Sequence, residues 1–76
     1  MNLLSRITIN PEVMKGKPTI RDMRFSVAQM LELLAGGMSF QEILEDYPYI
    51  ELEDIQASLI YAAMLANVRT IRRLSA

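Results

Sequence analysis

Three times along this chain the same short pattern recurs: an apolar residue, a residue that can cap a helix, a polar acceptor three positions later, and a second apolar residue directly after it. The copies are Phe25-Ser26 with Gln29-Met30, Met38-Ser39 with Glu42-Ile43, and Ile50-Glu51 with Asp54-Ile55. An oxygen at the capping position satisfies a backbone N–H that the first helical turn leaves without a partner. The acceptor returns the bond, and the two apolar residues close over the junction as a staple. Each copy predicts a helix start, and Glu51, a poorer cap than Ser, makes the third start the weakest.

The spacing that follows each start continues the argument. Helix one, predicted over 26–35, places Val27, Met30, Leu31 and Leu34 at i, i+3, i+4 and i+7, and Gly36-Gly37 supplies a left-handed stop. Helix two, over 39–47, repeats the stripe with Phe40, Ile43, Leu44 and Tyr47 before Pro48 ends it. Helix three, over 52–72, carries Ile55, Leu59, Ala62 and Ala66 on one face. A second stripe, Ile60, Tyr61, Met64, Val68 and Ile71, lies on another. Two apolar faces need two covers, and two short helices supply one. The second stripe is therefore expected to be an oligomer interface, the alternative being that the N-terminal segment folds back over it.

In that segment, residues 1–25, Ile7-Thr8-Ile9 alternates like a short strand, Asn10-Pro11 reads as a turn, and Thr19-Ile20-Arg21 reads as a second strand. The expected fold is mainly α: a single domain, 1–76, with a three-helix helix-turn-helix core behind a short N-terminal strand or hairpin.

Composition removes whole classes of function. Without cysteine or histidine, disulfides, thiolate or imidazole metal sites and Ser-His or Cys-His nucleophiles are excluded, and no cofactor is expected. Gly16-Lys17-Pro18-Thr19 is no phosphate-binding loop, because Pro11 stands where that loop needs Gly and Pro18 where it needs Ser or Thr. The carboxylates sit at helix starts, where capping accounts for them, and an enzyme is the least favoured class. Apolar residues make up 51% of the chain, enough for a folded core. Seventy-six residues still bury only about 60–65% of their unfolded surface, a thin margin that small domains often widen by recruiting a second subunit. The first six residues lack the apolar run of a signal peptide, and the longest such run, 59–66, is too short to span a bilayer. A cytoplasmic location is expected.

Charge is zoned. Residues 1–38 hold Arg6, Lys15, Lys17, Arg21 and Arg24 against Glu12, Asp22 and Glu32; residues 39–66 hold six acids and no base; the tail adds Arg69, Arg72 and Arg73. If DNA is bound, Lys15, Lys17, Arg21 and Arg24 are the expected phosphate contacts. The start of helix three, with Glu51, Glu53 and Asp54, would repel the backbone. The alternative is that these cations pair with the acidic helices of their own domain.

The segment Gly16-Lys17-Pro18-Thr19-Ile20-Arg21 followed by Arg24-Phe25-Ser26-Val27 resembles the signature of the domain-of-unknown-function 433 family. Leu33-Leu34-Ala35, Gly37-Met38-Ser39, Glu42-Ile43-Leu44, Tyr47-Pro48 and Glu53-Asp54-Ile55 are similar to its later parts. Two departures stand out: Asp22-Met23 occupies the usual Gly-Thr position, which asks Asp22 to enter a conformation that Gly enters more easily, and Glu51 replaces a Ser or Thr cap. The resemblance implies a homeodomain-like core and an antitoxin-like role, in which the domain dimerises, engages a PIN-like toxin nuclease and has DNA as a further partner. Arg69, Arg72 and Arg73 are then the candidate partner-binding residues, since guanidinium groups pair bidentately with the carboxylates such a nuclease gathers. The alternative for these three is complementing the helix dipole. An autonomous DNA-binding regulator and a purely structural oligomerisation module are the competing functions.

Overall fold

A computed structural model describes residues 2–67 of the chain. Two short strands, β1 (Ile7–Ile9) and β2 (Pro18–Ile20), precede three helices, α1 (Val27–Ala35), α2 (Phe40–Asp46) and α3 (Leu52–Ala66). A 3-10 turn, Leu3–Arg6, leads into β1. The strands pair antiparallel with Ile7 opposite Ile20, Thr8 opposite Thr19 and Ile9 opposite Pro18. The second strand thus begins one residue earlier than its sequence suggests. Arg21 leaves the sheet because it and Asp22 form the middle of a turn, at φ 48° and 58°, closed by the Met23 N–H donating to the Ile20 carbonyl at 2.8 Å. Two left-handed central residues define a primed turn, and Asp22 takes the glycine-like conformation its position demands. Its N–H donates to the Thr8 hydroxyl at 2.9 Å.

Both serine caps form as expected, and the returned bond of the box is made at the second and third starts. Ser26 accepts from the Gln29 N–H at 2.9 Å. Ser39 accepts from the Glu42 N–H at 3.1 Å while Glu42 accepts from the Ser39 N–H at 2.8 Å, a complete capping box. At the third start, Asp54 accepts from the Glu51 N–H at 2.8 Å. After α1, the Gly37 N–H donates to Leu34 and the Met38 N–H to Leu33, at 3.0 and 3.1 Å. Those two bonds make a Schellman stop, and Gly37, at φ 100°, is where it needs glycine.

The staples then build the core. Its buried cluster is Ile20, Phe25, Met30, Ile43, Ile50 and Ile55, and all but Ile20 flank a helix start. Met38, the remaining staple residue, packs against the cluster half-buried. Full burial of each such side chain contributes roughly 1.5–3 kcal/mol. Phe25 also meets Tyr47 edge-on, with centroids 5.1 Å apart.

Two expectations about helix faces are corrected. On α2, Phe40 is exposed rather than packed with Ile43. On α3 the inward residues are Asp54, Ile55, Ala57 and Ser58, with Tyr61 and Ala62 half-buried, whereas Leu59 and Ala66 point outward. The helix is rotated from the apolar reading because a carboxylate and a hydroxyl are buried, each with its own partners. The N-terminal turn and β1 both pack against α3, yet Ile60 and Met64 of the second stripe stay exposed, so the arm does not cover that stripe. α3 ends at Ala66 with Asn67 as its C-cap; the continuation expected to Arg72 lies outside the described residues.

Candidate functional site

Three surfaces gather the side chains that sequence reasoning singled out. At the start of α3, Asp54 is fully buried and accepts from Arg21 through Nε at 3.1 Å and Nη2 at 2.7 Å. Arg6 Nη1 adds a third bond at 2.9 Å and reaches the Glu51 carboxylate at 2.6 Å. Arg21 Nη2 also donates to the Tyr49 carbonyl at 2.8 Å. Burial pushes the Asp54 carboxyl up. The bonds from Arg21, the Glu51 N–H and Arg6 outweigh that push and hold it below its ordinary 3.8. Both guanidinium groups are raised in turn, chiefly by their hydrogen bonds to Glu51 and Asp54 for Arg6 and to Asp54 for Arg21. This cluster ties arm, turn and helix together. Arg21 is thereby committed to its own domain, which is the alternative the charge zoning left open for it.

The other three candidate phosphate contacts converge elsewhere. Lys15, Lys17 and Arg24 line one shallow depression of about 480 Å³ with Pro11, Glu12 and Met14. The loop that carries them is wound tightly: Met14, Lys15 and Gly16 all have positive φ, at 50°, 59° and 80°, and Asn10 accepts from the N–H groups of Glu12 and Val13.

A third surface is apolar. A cleft of about 370 Å³ lies between the start of α1 and the distal half of α3, walled mainly by Pro18, Val27, Ala28, Leu31, Tyr61 and Leu65. Beyond it α3 outruns the core. The run 59–66 contains no polar residue, yet Leu59, Ile60, Met64 and Leu65 are 40%, 39%, 54% and 58% exposed. A helix apolar on every side is ordinarily buried on every side. Of the predicted interface, Ile60 and Met64 are exposed and Tyr61 turns half-buried toward the cleft; Val68 and Ile71, like Arg69, Arg72 and Arg73, lie outside the described residues. Leu65 was not singled out from sequence, and Val27 and Leu31 of the α1 wall were read there only as a core-facing stripe; the unbroken apolar run was the signal that could have found Leu65. Among the described residues, no group of acidic side chains is placed to hold a metal ion, and no helix is long and apolar enough to cross a membrane.

A two-strand hairpin set against three helices, with an ion-pair clasp and an exposed apolar helix end, defines a small α-rich domain whose prominent surfaces are apolar and basic. The chain belongs to the family described as protein of unknown function (DUF433), whose profile matches residues 7–62. A DUF433 member protein from Anabaena variabilis, known from a crystal structure, is similar in fold with a TM-score of 0.74 and 31% identity, over 90% of this chain and 65% of that one. The uncharacterized protein y4eO of Sinorhizobium fredii is 32% identical over 56 residues, 74% of this chain. The chain spans a quarter of the length of that relative and less than two thirds of the crystallised protein.

Proposed function

We propose that this domain is a cytoplasmic, non-catalytic binding module of antitoxin type, which pairs with a second copy and docks a larger protein through the cleft between α1 and α3. The observation that carries this reading is the distal half of α3: four large apolar side chains exposed on a helix end whose inward neighbour is an apolar cleft. Exposed apolar surface of this kind marks an interaction site more often than a solvated face. The partner class that the family resemblance suggests is a PIN-like nuclease. The three tail arginines, Arg69, Arg72 and Arg73, suit its carboxylates. The helix-turn-helix reading enters here too, since α2 and α3 are joined by a short turn through Pro48.

Co-expression with the product of the adjacent reading frame tests this. A complex that survives gel filtration and is lost in Leu65→Asp, with the helical circular dichroism of that variant unchanged, is expected. A neighbour that is no nuclease, or a complex indifferent to Leu65→Asp, overturns it.

A second reading, an autonomous DNA-binding regulator, is favoured by the convergence of Lys15, Lys17 and Arg24 on one depression. Its contacts would be to phosphate through these three, because the two arginines at the start of α3, Arg6 and Arg21, are held by Glu51 and Asp54.

A further inference from the structure

We propose that the apolar cleft between α1 and α3 and the basic depression beside it form one site for a small phosphate-bearing amphiphile, its apolar chain in the cleft and its phosphate on Lys15, Lys17 and Arg24.

The two surfaces meet at one residue. Lys17 lines the cleft together with Pro18, Val27 and Leu31, and it lines the depression together with Lys15 and Arg24. A lysine suits such a boundary, since its methylene stem covers apolar surface while its ammonium stays among polar groups. Among the described residues, none of the three cations is in an ion pair, whereas Arg6 and Arg21 both are. Glu12 also lines the depression, and three cations against this one carboxylate leave an excess of positive charge. A phosphate answers it better than a carboxylate does, because its terminal oxygens are strong acceptors that can serve several separated donors at once.

The cleft supplies the apolar half. At about 370 Å³ it lies at the lower end of the roughly 300–1,000 Å³ usual for small-molecule pockets. Ser26, which lines it, is buried, and its oxygen accepts from the Gln29 N–H at 2.9 Å. The hydroxyl proton is left without an acceptor among the described residues. The pairing of Thr19 with Ser26 sets this serine on the Lys17 side of the cleft, where a ligand oxygen at the junction of chain and phosphate would accept that proton. An apolar segment alone fills the same walls but brings nothing to the cations. The site goes beyond the docking proposed above, and since both occupants lie against Leu65, bound amphiphile excludes the protein partner.

Decyl phosphate, kept below its micelle concentration, is titrated into the isotopically labelled chain, and amide shifts are followed by nuclear magnetic resonance. Decyl maltoside, with the same chain and a neutral head, and inorganic phosphate are titrated beside it. Shifts at Lys15, Lys17, Val27, Leu31 and Leu65 are expected with decyl phosphate, at an affinity about ten-fold or more above that of either control. Lys17→Gln combined with Arg24→Gln should bring decyl phosphate down to the affinity of decyl maltoside, and Leu65→Asp should bring it towards that of inorganic phosphate. Equal binding of the two decyl compounds shows that the cations read no phosphate, and equal binding of the two phosphates shows that the cleft takes no chain; either result overturns the joined site. Shifts confined to Ile60, Ala63 and Met64 sink it as well, since the amphiphile then only coats the exposed side of α3. The titration uses this chain alone, so its failure leaves the partner complex to be judged separately by gel filtration.

Discussion

Replacing Asp54 by asparagine keeps the shape of the side chain and removes its charge, which makes it the sharpest probe of what holds the arm to the helices. Three arginine bonds end on this carboxylate, at 2.7, 2.9 and 3.1 Å, and the Glu51 N–H is a fourth donor at 2.8 Å. Breaking a buried ion pair by removing one partner costs about 3–5 kcal/mol. Here the cost falls at the low end, about 3 kcal/mol, because the Arg6 and Arg21 side chains are 22% and 36% exposed and can turn toward water. Arg6 also retains Glu51. A domain of this size has on the order of 4–11 kcal/mol in total, so the loss is a large share of it and lowers the melting temperature by roughly 12–24 °C. The pH dependence has a definite sign. The folded carboxyl titrates below its ordinary 3.8; its stabilisation is therefore complete above that value and is lost as pH falls below 3.8 and down through the folded value. Thermal unfolding followed by far-ultraviolet circular dichroism, at neutral pH and along an acid series, reads both effects. Asp54→Asn should melt early at neutral pH and show a shallower acid limb than the native chain. A melting temperature within about 3 °C of native, or an acid limb that does not change, refutes the reasoning.

The capping serines give smaller effects: Ser39→Ala should cost about 0.5–2 kcal/mol by opening the box with Glu42, and Ser26→Ala a similar amount. Urea midpoints unchanged in both variants would mean that these bonds contribute nothing net. For nucleic acid, the expected behaviour is modest, strongly salt-dependent binding to duplex DNA that falls when Lys15, Lys17 and Arg24 are neutralised, with the logarithmic salt slope dropping by roughly one per phosphate contact removed. Gln56→Ala should leave that binding unaltered, and tight binding that collapses in Gln56→Ala instead would show that α3 reads bases.

The helix starts were legible because their signal is local. A cap and its acceptor are three residues apart and the staple residues five, so chain connectivity alone brings them together. Five of those apolar residues, Phe25, Met30, Ile43, Ile50 and Ile55, then became core residues. The same holds for Gly37, whose left-handed stop follows from the last turn of α1, whereas the conformation of Asp22 was legible only through the family resemblance, which sets it where glycine is usual. The partner of Arg21 was not legible, for the opposite reason. Its partner Asp54 is 33 residues away, and Arg6 meets the same carboxylate across 48. No spacing rule connects such positions, and a run of six acids reads as a solvated face until the fold shows that one of them is wholly inside.

The rotation of α3 shows how that single burial propagates. Where a helix alternates polar and apolar residues, the polar ones mark the outside, but 59–66 contains none and any of several stripes through it satisfies the apolar period. What orients the helix lies upstream: Asp54 faces inward because its carboxylate is satisfied there, and Ser58, one turn on, can follow it because its hydroxyl is satisfied within the helix. Asp54 is held by two arginines, and the Ser58 hydroxyl donates to the Asp54 carbonyl at 2.9 Å, four residues back. With these two turned in, Tyr61 and Ala62 follow them toward α1 one turn later, and Leu59, Ile60 and Met64 are carried outward. The arginine clasp therefore does more than stabilise the arm: by choosing which polar residues are buried, it chooses which apolar residues are shown. Loosening it should change the presented face of α3 as well as the melting temperature, so Asp54→Asn is expected to weaken self-association even at temperatures where the domain remains folded. Sedimentation equilibrium at 10 °C checks this. A native dimer constant in a variant whose melting temperature has dropped would separate the clasp from the surface and confine its role to stability.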